Sequence, residues 1–378
     1  MKTSVAIIGG GVAGCVLSHA LERRRIENRV FERNGSTRFS GGALLLWSNA
    51  IKALREVGLE TGPERFGQEL EHIDFCDIDG RVLWRLRADR LARKNRAPCI
   101  VVPRAKFLSF LDETVAGRVE RQVYERHEQT ESGVTSWFNA GPSAESKVLI
   151  GADGLHSLLR SQLEGRKPAL RKTGQAIWVG SAPFRHERLK PGTAMASVGR
   201  GLRFWAAAFP DDTCYWYAIF PERRTPRNVL ELAGIFREFH RPVEDLILET
   251  PLSSIAKTLI SDRHPARSWG SGRVTLLGDA VHPVTPDLGQ GACQAIESAI
   301  TLAEELAERG PEASALRRYE KRRRSRTSRI SNMSYFTAVG SMVDGALACR
   351  VRDLGIATLL PLIAAPQLGW ITEGRTAR

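Results

Sequence analysis

The chain has 378 residues, of which 42% are hydrophobic and 26% charged. That composition excludes a disordered or fibrous protein and leaves room for a sizeable core, in two domains or in one large domain with an insertion. The net charge of +13 admits nucleic acid, acidic surfaces or anionic ligands, but no recognition motif accompanies it, so nucleic acid is not an expected partner.

Val5-Ala6-Ile7-Ile8 reads as a buried strand, Gly9 to Gly14 as a turn, and Cys15 to Arg25 as a helix. In Gly9-x-Gly11-x-x-Gly14 each glycine has its own reason. The first makes the tight turn, the second lets backbone approach a pyrophosphate, and the third lets the helix pack closely on the strand. The helix start, with Val12 and Ala13, offers free N–H groups and a positive dipole end to phosphates. A second apolar run, Arg29-Val30-Phe31, ends in Glu32-Arg33. A carboxylate about 20 residues past the turn accepts from a ribose hydroxyl.

A loop over Asn34 to Gly42 follows, then the apolar run Ala43 to Trp47. Ser48 reads as the N-cap of a helix over Asn49 to Val57, which stops at Gly58. Residues 67 to 86 alternate like strands around an Asp79-Gly80 turn. Arg87 to Arg96 reads as a basic loop, Ile100 to Val102 as a strand, and Arg104 to Val115 as a helix. Strands and turns over 119–150 end in Lys147 to Ile150. Gly151-Ala152-Asp153-Gly154 then turns into a helix bearing Ser157 and Arg160.

Residues 173 to 220 are strand-like and rich in aromatics, and helices are expected near Val229 to Phe239 and Val243 to Glu249. Val274 to Leu277 returns to strand character before Gly278-Asp279-Ala280. Two long helices, Gln290 to Arg309 and about Glu312 to Ser334, precede a tail with an apolar patch, Leu354 to Ile363. The basic run Arg317 to Arg329 reads as a solvated helix face. No internal repeat stands out.

The six cysteines (Cys15, Cys76, Cys99, Cys214, Cys293, Cys349) form no CxxC pair. That points to reduced thiols in a cytoplasm and to no metal site. Lys2 and the apolar residues after it imitate a signal peptide. The three glycines, and Glu22 with Arg23-Arg24-Arg25, fit a nucleotide fold better. No apolar run approaches a bilayer span, and membrane contact is not expected.

Three motifs stand in order: Gly9-x-Gly11-x-x-Gly14 with Glu32; Gly151-Ala152-Asp153-Gly154 with Ser157 and Arg160; and Gly278-Asp279-Ala280-Val281-His282-Pro283 running to Pro286-Asp287-Leu288-Gly289-Gln290-Gly291. Together they resemble the single-component FAD-dependent aromatic hydroxylases, the para-hydroxybenzoate hydroxylase-like flavoprotein monooxygenases, over about residues 3 to 335. Thr285 to Gln294 is most similar to the urate, salicylate and zeaxanthin-epoxidase-like branches. The resemblance implies an α/β fold. A GR2-like, Rossmann-type FAD-binding domain would occupy 1–66, 97–165 and 262–335. A β-sheet substrate domain would be inserted at 67–96 and 166–261, and a C-terminal helical tail would cover 336–378. It implies FAD, with NADPH or NADH as a transient electron donor. O2 would hydroxylate or epoxidise a small aromatic or other electron-rich substrate through a flavin C4a-hydroperoxide. The oligomeric state is left open.

In that frame Gly278 and Asp279 end a strand, and Asp279 accepts hydrogen bonds from the ribityl chain. Gly289, Gln290, Gly291 and Ala292 open a helix whose N–H groups and dipole stabilise negative charge on the reduced flavin. Pro286 borders the face where oxygen adds. The resemblance places Arg104 near the flavin and Asp153 in a motif tied to FAD and the nicotinamide donor, though Asp153 also suits a turn-stabilising role. Arg160 fits an ion pair as well as a cofactor contact, and His282 a packed, hydrogen-bonded place. Cys293 stands where the family usually has Asn, and Ser298 where it has Asp. The loss of that carboxylate leaves its helix-packing or ion-pair role open.

For the substrate, Arg203 pairs an acidic or enolate group or lies on the surface. Tyr215 and Tyr217 share one strand face, with Trp216 on the other. Trp47, His72 and Asp74 are further candidates. Pro286, Arg203 and Tyr217 are the expected catalytic set. Rival readings are a flavin-dependent halogenase, on Trp216 to Pro221; a membrane-grazing epoxidase, on the apolar tail; and a catalytically silent flavin-binding module.

Overall fold

The computed structural model describes residues 1–33 and 42–374; the loop expected over Asn34 to Gly42 lies outside them save for Gly42. Lys2–Ile8 is the middle of an eight-stranded sheet. It runs parallel to Ala144–Gly151 on one side and Asn28–Phe31 on the other, with Ile7 opposite both Ile150 and Val30. Val274–Leu276 extends the parallel order beyond Ala144–Gly151. Consecutive residues Val5 to Ile7 and Val148 to Ile150 have no exposed surface. Successive strand side chains point to opposite faces, so both faces are covered, and the strands read as unbroken apolar runs. Each buried Val or Ile contributes about 1.5–3 kcal/mol.

A second, seven-stranded sheet runs in the order Ala256–Asp262, Arg171–Pro183, Thr213–Pro221, Arg203–Ala208, Thr193–Val198, His72–Cys76, Val82–Arg87. Its two faces do different things because the side-chain period is two. Trp178, Phe204, Trp216 and Phe220 bury one face against the helices Val229–Phe236 and Val243–Leu248. On the other face Val179, Tyr217, Trp205, Ala196, Phe75 and Trp84 stand in one row across the sheet. Trp205 stacks on Tyr217 at 5.5 Å and Phe75 on Trp84 at 5.1 Å. A three-stranded sheet joins Ala43–Leu46, Ile100–Pro103 and Gln68–Glu69.

Four local expectations are corrected. Residues Ala88–Asn95 form a helix, not a basic loop. Ala88 and Asn95 are buried and Leu91 packs on the core, a helical spacing hidden by the arginines between them. Ser48 begins its helix rather than capping it, and its hydroxyl donates to the Ala97 carbonyl at 2.8 Å. The long basic helix Ala313–Gly340 extends past Ser334. Its arginines are not a solvated face. Arg323 and Arg326 are buried, and Arg322 pairs with Glu304 and Glu305 of the neighbouring helix Gly291–Arg309. Beyond the basic helix lie the two helices of the tail, Ala346–Thr358 and Leu360–Glu373.

Candidate functional site

The first glycine turn is closed by backbone contacts that a side chain would break. Gly9 has φ +104°, and a Cβ there would lie 2.4 Å from the Ala152 carbonyl oxygen. A Cβ on Gly14 would lie 1.9 Å from the Gly9 carbonyl oxygen. At Gly11 it would meet no protein atom within 4 Å, so the fold itself sets no demand there. Glu32 Oε2 accepts from the Gly10 N–H at 2.6 Å, which sets the second strand against the turn. Arg33 follows, exposed. Val12 and Ala13 begin the helix Val12–Glu22, and Ala13 Cβ lies 2.9 Å from where a Cβ on Gly278 would stand. The first and third motifs therefore touch.

Asp153 crosses from one reading to both. Its Oδ2 accepts from the Leu158 and Leu159 N–H groups at 2.8 and 3.2 Å, stabilising the helix Leu158–Leu163. Its Oδ1 is buried without a hydrogen-bond partner among the described residues. Burial pushes this carboxyl above the usual carboxylate range, against the pull of Ser157 and the two N–H groups. Arg160 is a strut. It donates to Glu164 at 2.7 Å and to the carbonyls of Ala280 and Val281 at 3.3 and 3.4 Å, tying the second motif to the third. Asp279 is crowded by protein, which raises its carboxyl, with Arg104 as the opposing charge. Its side chain still reaches open space.

Pro286–Leu288 is a short 3-10 turn that ends at Gly289 with φ +60°. Trp47 Nε1 donates to the Leu288 carbonyl at 3.1 Å and lies 3.0 Å from where a Cβ on Gly289 would stand. Gln290, Gly291 and Ala292 then enter the helix Gly291–Arg309. Arg203 reaches this turn from the second sheet. It forms an ion pair with Asp287 and donates to Gln175 Oε1 at 2.5 Å. The free surface arginine is thereby excluded: the Arg203 side chain is mostly buried and that of Asp287 wholly so. Arg203 Nε and Asp287 Oδ2 remain without hydrogen-bond partners among the described residues. Tyr217 lies on the Arg203 face, and burial pushes its phenol up to about 12, so it is a neutral donor at ordinary pH. Trp216, on the other face, is core and donates to Thr250 at 2.9 Å. His72 and Asp74 also leave the site. They alternate with Ile73 and Phe75, so they sit on the face opposite Phe75, where Asp74 holds Arg85 at 2.6 and 2.8 Å.

Sequence reading missed Glu297. Its carboxylate is fully buried between Arg323 at 2.7 Å, Arg326 at 3.1 Å and Asn49 at 2.7 Å. Arg323 also donates to Gln294 Oε1 at 2.6 Å, and Gln294 donates to Gln290 at 2.9 Å, at the foot of the glycine turn. Asn49 reaches the same Gln290 oxygen at 3.2 Å. The two arginines hold Glu297 below the usual carboxylate range against the cost of burial. The signal was present as a polar stripe, Gln290, Gln294, Glu297 and Thr301, at helical spacing in an otherwise apolar helix. Ser298 is part of the answer to its own departure. It accepts from Arg323 Nε at 3.1 Å and meets His282 Nε2 at 3.0 Å, while Glu297 next to it supplies a carboxylate.

His282 is buried beside Trp269, and burial with the Arg323 charge lowers it to about 3. It is neutral in the fold, whereas the unfolded chain takes up a proton near pH 6.5. Stability is therefore complete above that value and falls as pH drops toward 3. Urea unfolding should show about 3 kcal/mol of this loss between pH 7 and roughly pH 4. His282→Gln should flatten that share; equal acid profiles for the two proteins would refute it.

The family description "FAD binding domain" matches residues 2–334. The chain belongs to that family. It is 32% identical over 366 residues to the aurachin C monooxygenase/isomerase of Stigmatella aurantiaca, covering 93% of this chain and 94% of that protein. It is 31% identical over 328 residues to the FAD-dependent urate hydroxylase of Klebsiella pneumoniae subsp. pneumoniae, covering 84% and 85%. The structure of Klebsiella pneumoniae HpxO complexed with FAD and uric acid matches with a TM-score of 0.90 at 26% identity, over 98% of this chain and 97% of that one. With these relatives the chain is an FAD-dependent monooxygenase. The flavoprotein's own residues suit the cofactor: an open approach at Gly11, an orphaned carboxylate oxygen on Asp153, and Asp279 exposed in the 3-10 turn Gly278–Ala280 that follows the strand Val274–Leu276.

Proposed function

We propose that this monooxygenase acts on a small planar aromatic substrate lying between the Pro286–Leu288 turn and the aromatic face of the seven-stranded sheet. NADPH or NADH is the electron donor. The observation that carries the reading is the Arg203–Asp287 pair, which joins that sheet to the turn. Beside it stands the row Tyr217, Trp205, Phe75 and Trp84, which offers rings to stack on. Bound FAD supplies the redox chemistry that activates O2. Gly9, Gly11, Val12, Ala13 and Gly14 would hold its pyrophosphate, and Glu32 with Arg33 its ribose. Arg104, Asp153, Gly278 and Asp279 would hold the middle of the cofactor. Pro286, Gly289, Gln290, Gly291 and Ala292 would face its ring. The strands between residues 72–87 and 171–262 build one sheet, which supports the division into cofactor segments 1–66, 97–165 and 262–335 and a substrate domain of 67–96 and 166–261. One nucleotide fingerprint is present and FAD takes it, so the nicotinamide donor binds transiently. The six free, buried cysteines favour a cytoplasmic setting.

Arg203 is already neutralised by Asp287. The pair therefore favours a substrate with a donor next to an acceptor over a fully charged acid. Arg203 Nε and Asp287 Oδ2 are both buried without a hydrogen-bond partner among the described residues, so the pair has to turn outward to donate to the acceptor and accept from the donor, and the neutral Tyr217 phenol adds a second donor. Asp287→Asn keeps the shape and removes the charge. It should leave FAD bound and lower kcat/KM roughly ten- to a hundredfold on the best substrate of a phenol, purine and polycyclic panel. Substrate-stimulated NAD(P)H oxidation and product mass check it. An unchanged kcat/KM across the panel would sink the assignment.

A further inference from the structure

The first tail helix is built inside out. On Ala346–Thr358 the inner face holds Cys349 and the ion-paired Arg352 and Asp353, and Arg352 donates to the Gly199 carbonyl at 2.5 Å. The outer face carries Leu347, Val351 and Leu354, at spacings of four and three residues, 76%, 64% and 63% exposed. Leu360–Glu373 continues the stripe with Leu362 at 72% and Ile363 at 52%, and Leu359 joins the two. A helix that faces water places its charges outward and its leucines inward. The first tail helix does the reverse, and the second, with Ile371 and Ala364 buried on its inner side, still leaves Leu362 and Ile363 outside, so an apolar strip runs over both.

A basic flank borders the strip. The helix Ala88–Asn95 packs on the second tail helix: Asn95 donates to Thr372 at 2.9 Å, and Lys94 Nζ lies 3.3 Å from where a Cβ on Gly369 would stand. Asp89 takes Arg87 and Arg93. Arg90, Lys94 and Arg96 are exposed with no ion pair among the described residues, as is Arg350 on the first tail helix. Of the nearby acids, Asp353 and Asp344 pair with Arg352 and Arg223; Glu373 is exposed at the end of the second helix. No single helix among the described residues is long and apolar enough to cross a membrane, and the two tail helices meet at a 50° bend. An apolar strip with cations at its edge suits a bilayer surface that is itself anionic.

We infer that the outer face of the tail helices, with the Ala88–Asn95 flank, docks the enzyme on an anionic phospholipid surface. The full-length FAD-loaded protein should sediment with vesicles of phosphatidylcholine and phosphatidylglycerol, less so at high salt, and not with phosphatidylcholine alone. Leu354→Ser with Leu362→Ser should weaken this roughly tenfold per leucine. Arg90→Gln with Lys94→Gln should weaken it roughly fivefold per cation. Leu230→Ser, on a leucine 73% exposed elsewhere, should change nothing, and all variants should keep wild-type circular dichroism. Three results overturn the inference. They are no sedimentation with the anionic vesicles, an equal loss in Leu230→Ser, or light scattering that shows a dimer split by the Leu354→Ser, Leu362→Ser change.

Discussion

Glu297→Ala is expected to destabilise the protein by about 3–5 kcal/mol, because it leaves two buried guanidiniums without their carboxylate. Arg323 is 2% and Arg326 7% exposed, so water cannot take over. Coulomb attraction alone does not decide this. A buried pair gains little over an apolar replacement of equal volume, whereas breaking one is costly. Leu in place of Glu297 together with Met at both arginines should therefore recover most of the loss. The change also unseats Gln294 and Gln290 below the glycine turn, so FAD should be held more weakly. Urea midpoints and flavin fluorescence on the single and combined variants check both parts. A single variant that unfolds at the wild-type midpoint would show that the network carries no stability.

Gly14→Ala should yield colourless protein, with FAD binding weakened roughly a hundredfold, about 3 kcal/mol. Helix propensity argues the other way, since Ala gains about 1 kcal/mol over Gly inside a helix. The contact wins because the new Cβ would lie 1.9 Å from the Gly9 carbonyl oxygen, a backbone atom that cannot rotate aside. Gly11→Ala separates the two demands on the turn. It meets no protein atom, so the apoprotein should melt as wild type while FAD affinity still falls. Titration of apoprotein with FAD, beside thermal melts without it, reads both. Undiminished affinity in the Gly11 variant would remove the pyrophosphate from that place.

The parallel strands and the three glycine motifs were legible because each is local. An unbroken apolar run marks a strand buried on both sides, and a glycine spaced for backbone contact marks the turn after it. Charged residues misled where their partners were remote. Arg323 looked solvated because Glu297 lies on another helix. Arg203 gave no sign of its charge partner because Asp287 is 84 residues away in sequence. The helix Ala88–Asn95 was hidden by arginines that mask a short apolar spacing. Short runs reveal their period and not their partners, so the cofactor turn was visible and the polar network beneath it was not.

The strand Val274–Leu276 completes the first sheet beside Ala144–Gly151, next to a strand that begins at Lys2. During synthesis Val134–Phe138 can pair only with residues 144–146 on that side, so the Leu149–Gly151 end of the edge stays unpaired until residue 276 has left the ribosome. The seven-stranded sheet closes only slightly earlier, when Ala256–Asp262 emerges. Both closures are long-range, which makes folding slow and leaves an open strand edge exposed to neighbouring nascent chains. Chains truncated before Val274 are expected to aggregate rather than accumulate as a soluble amino-terminal half.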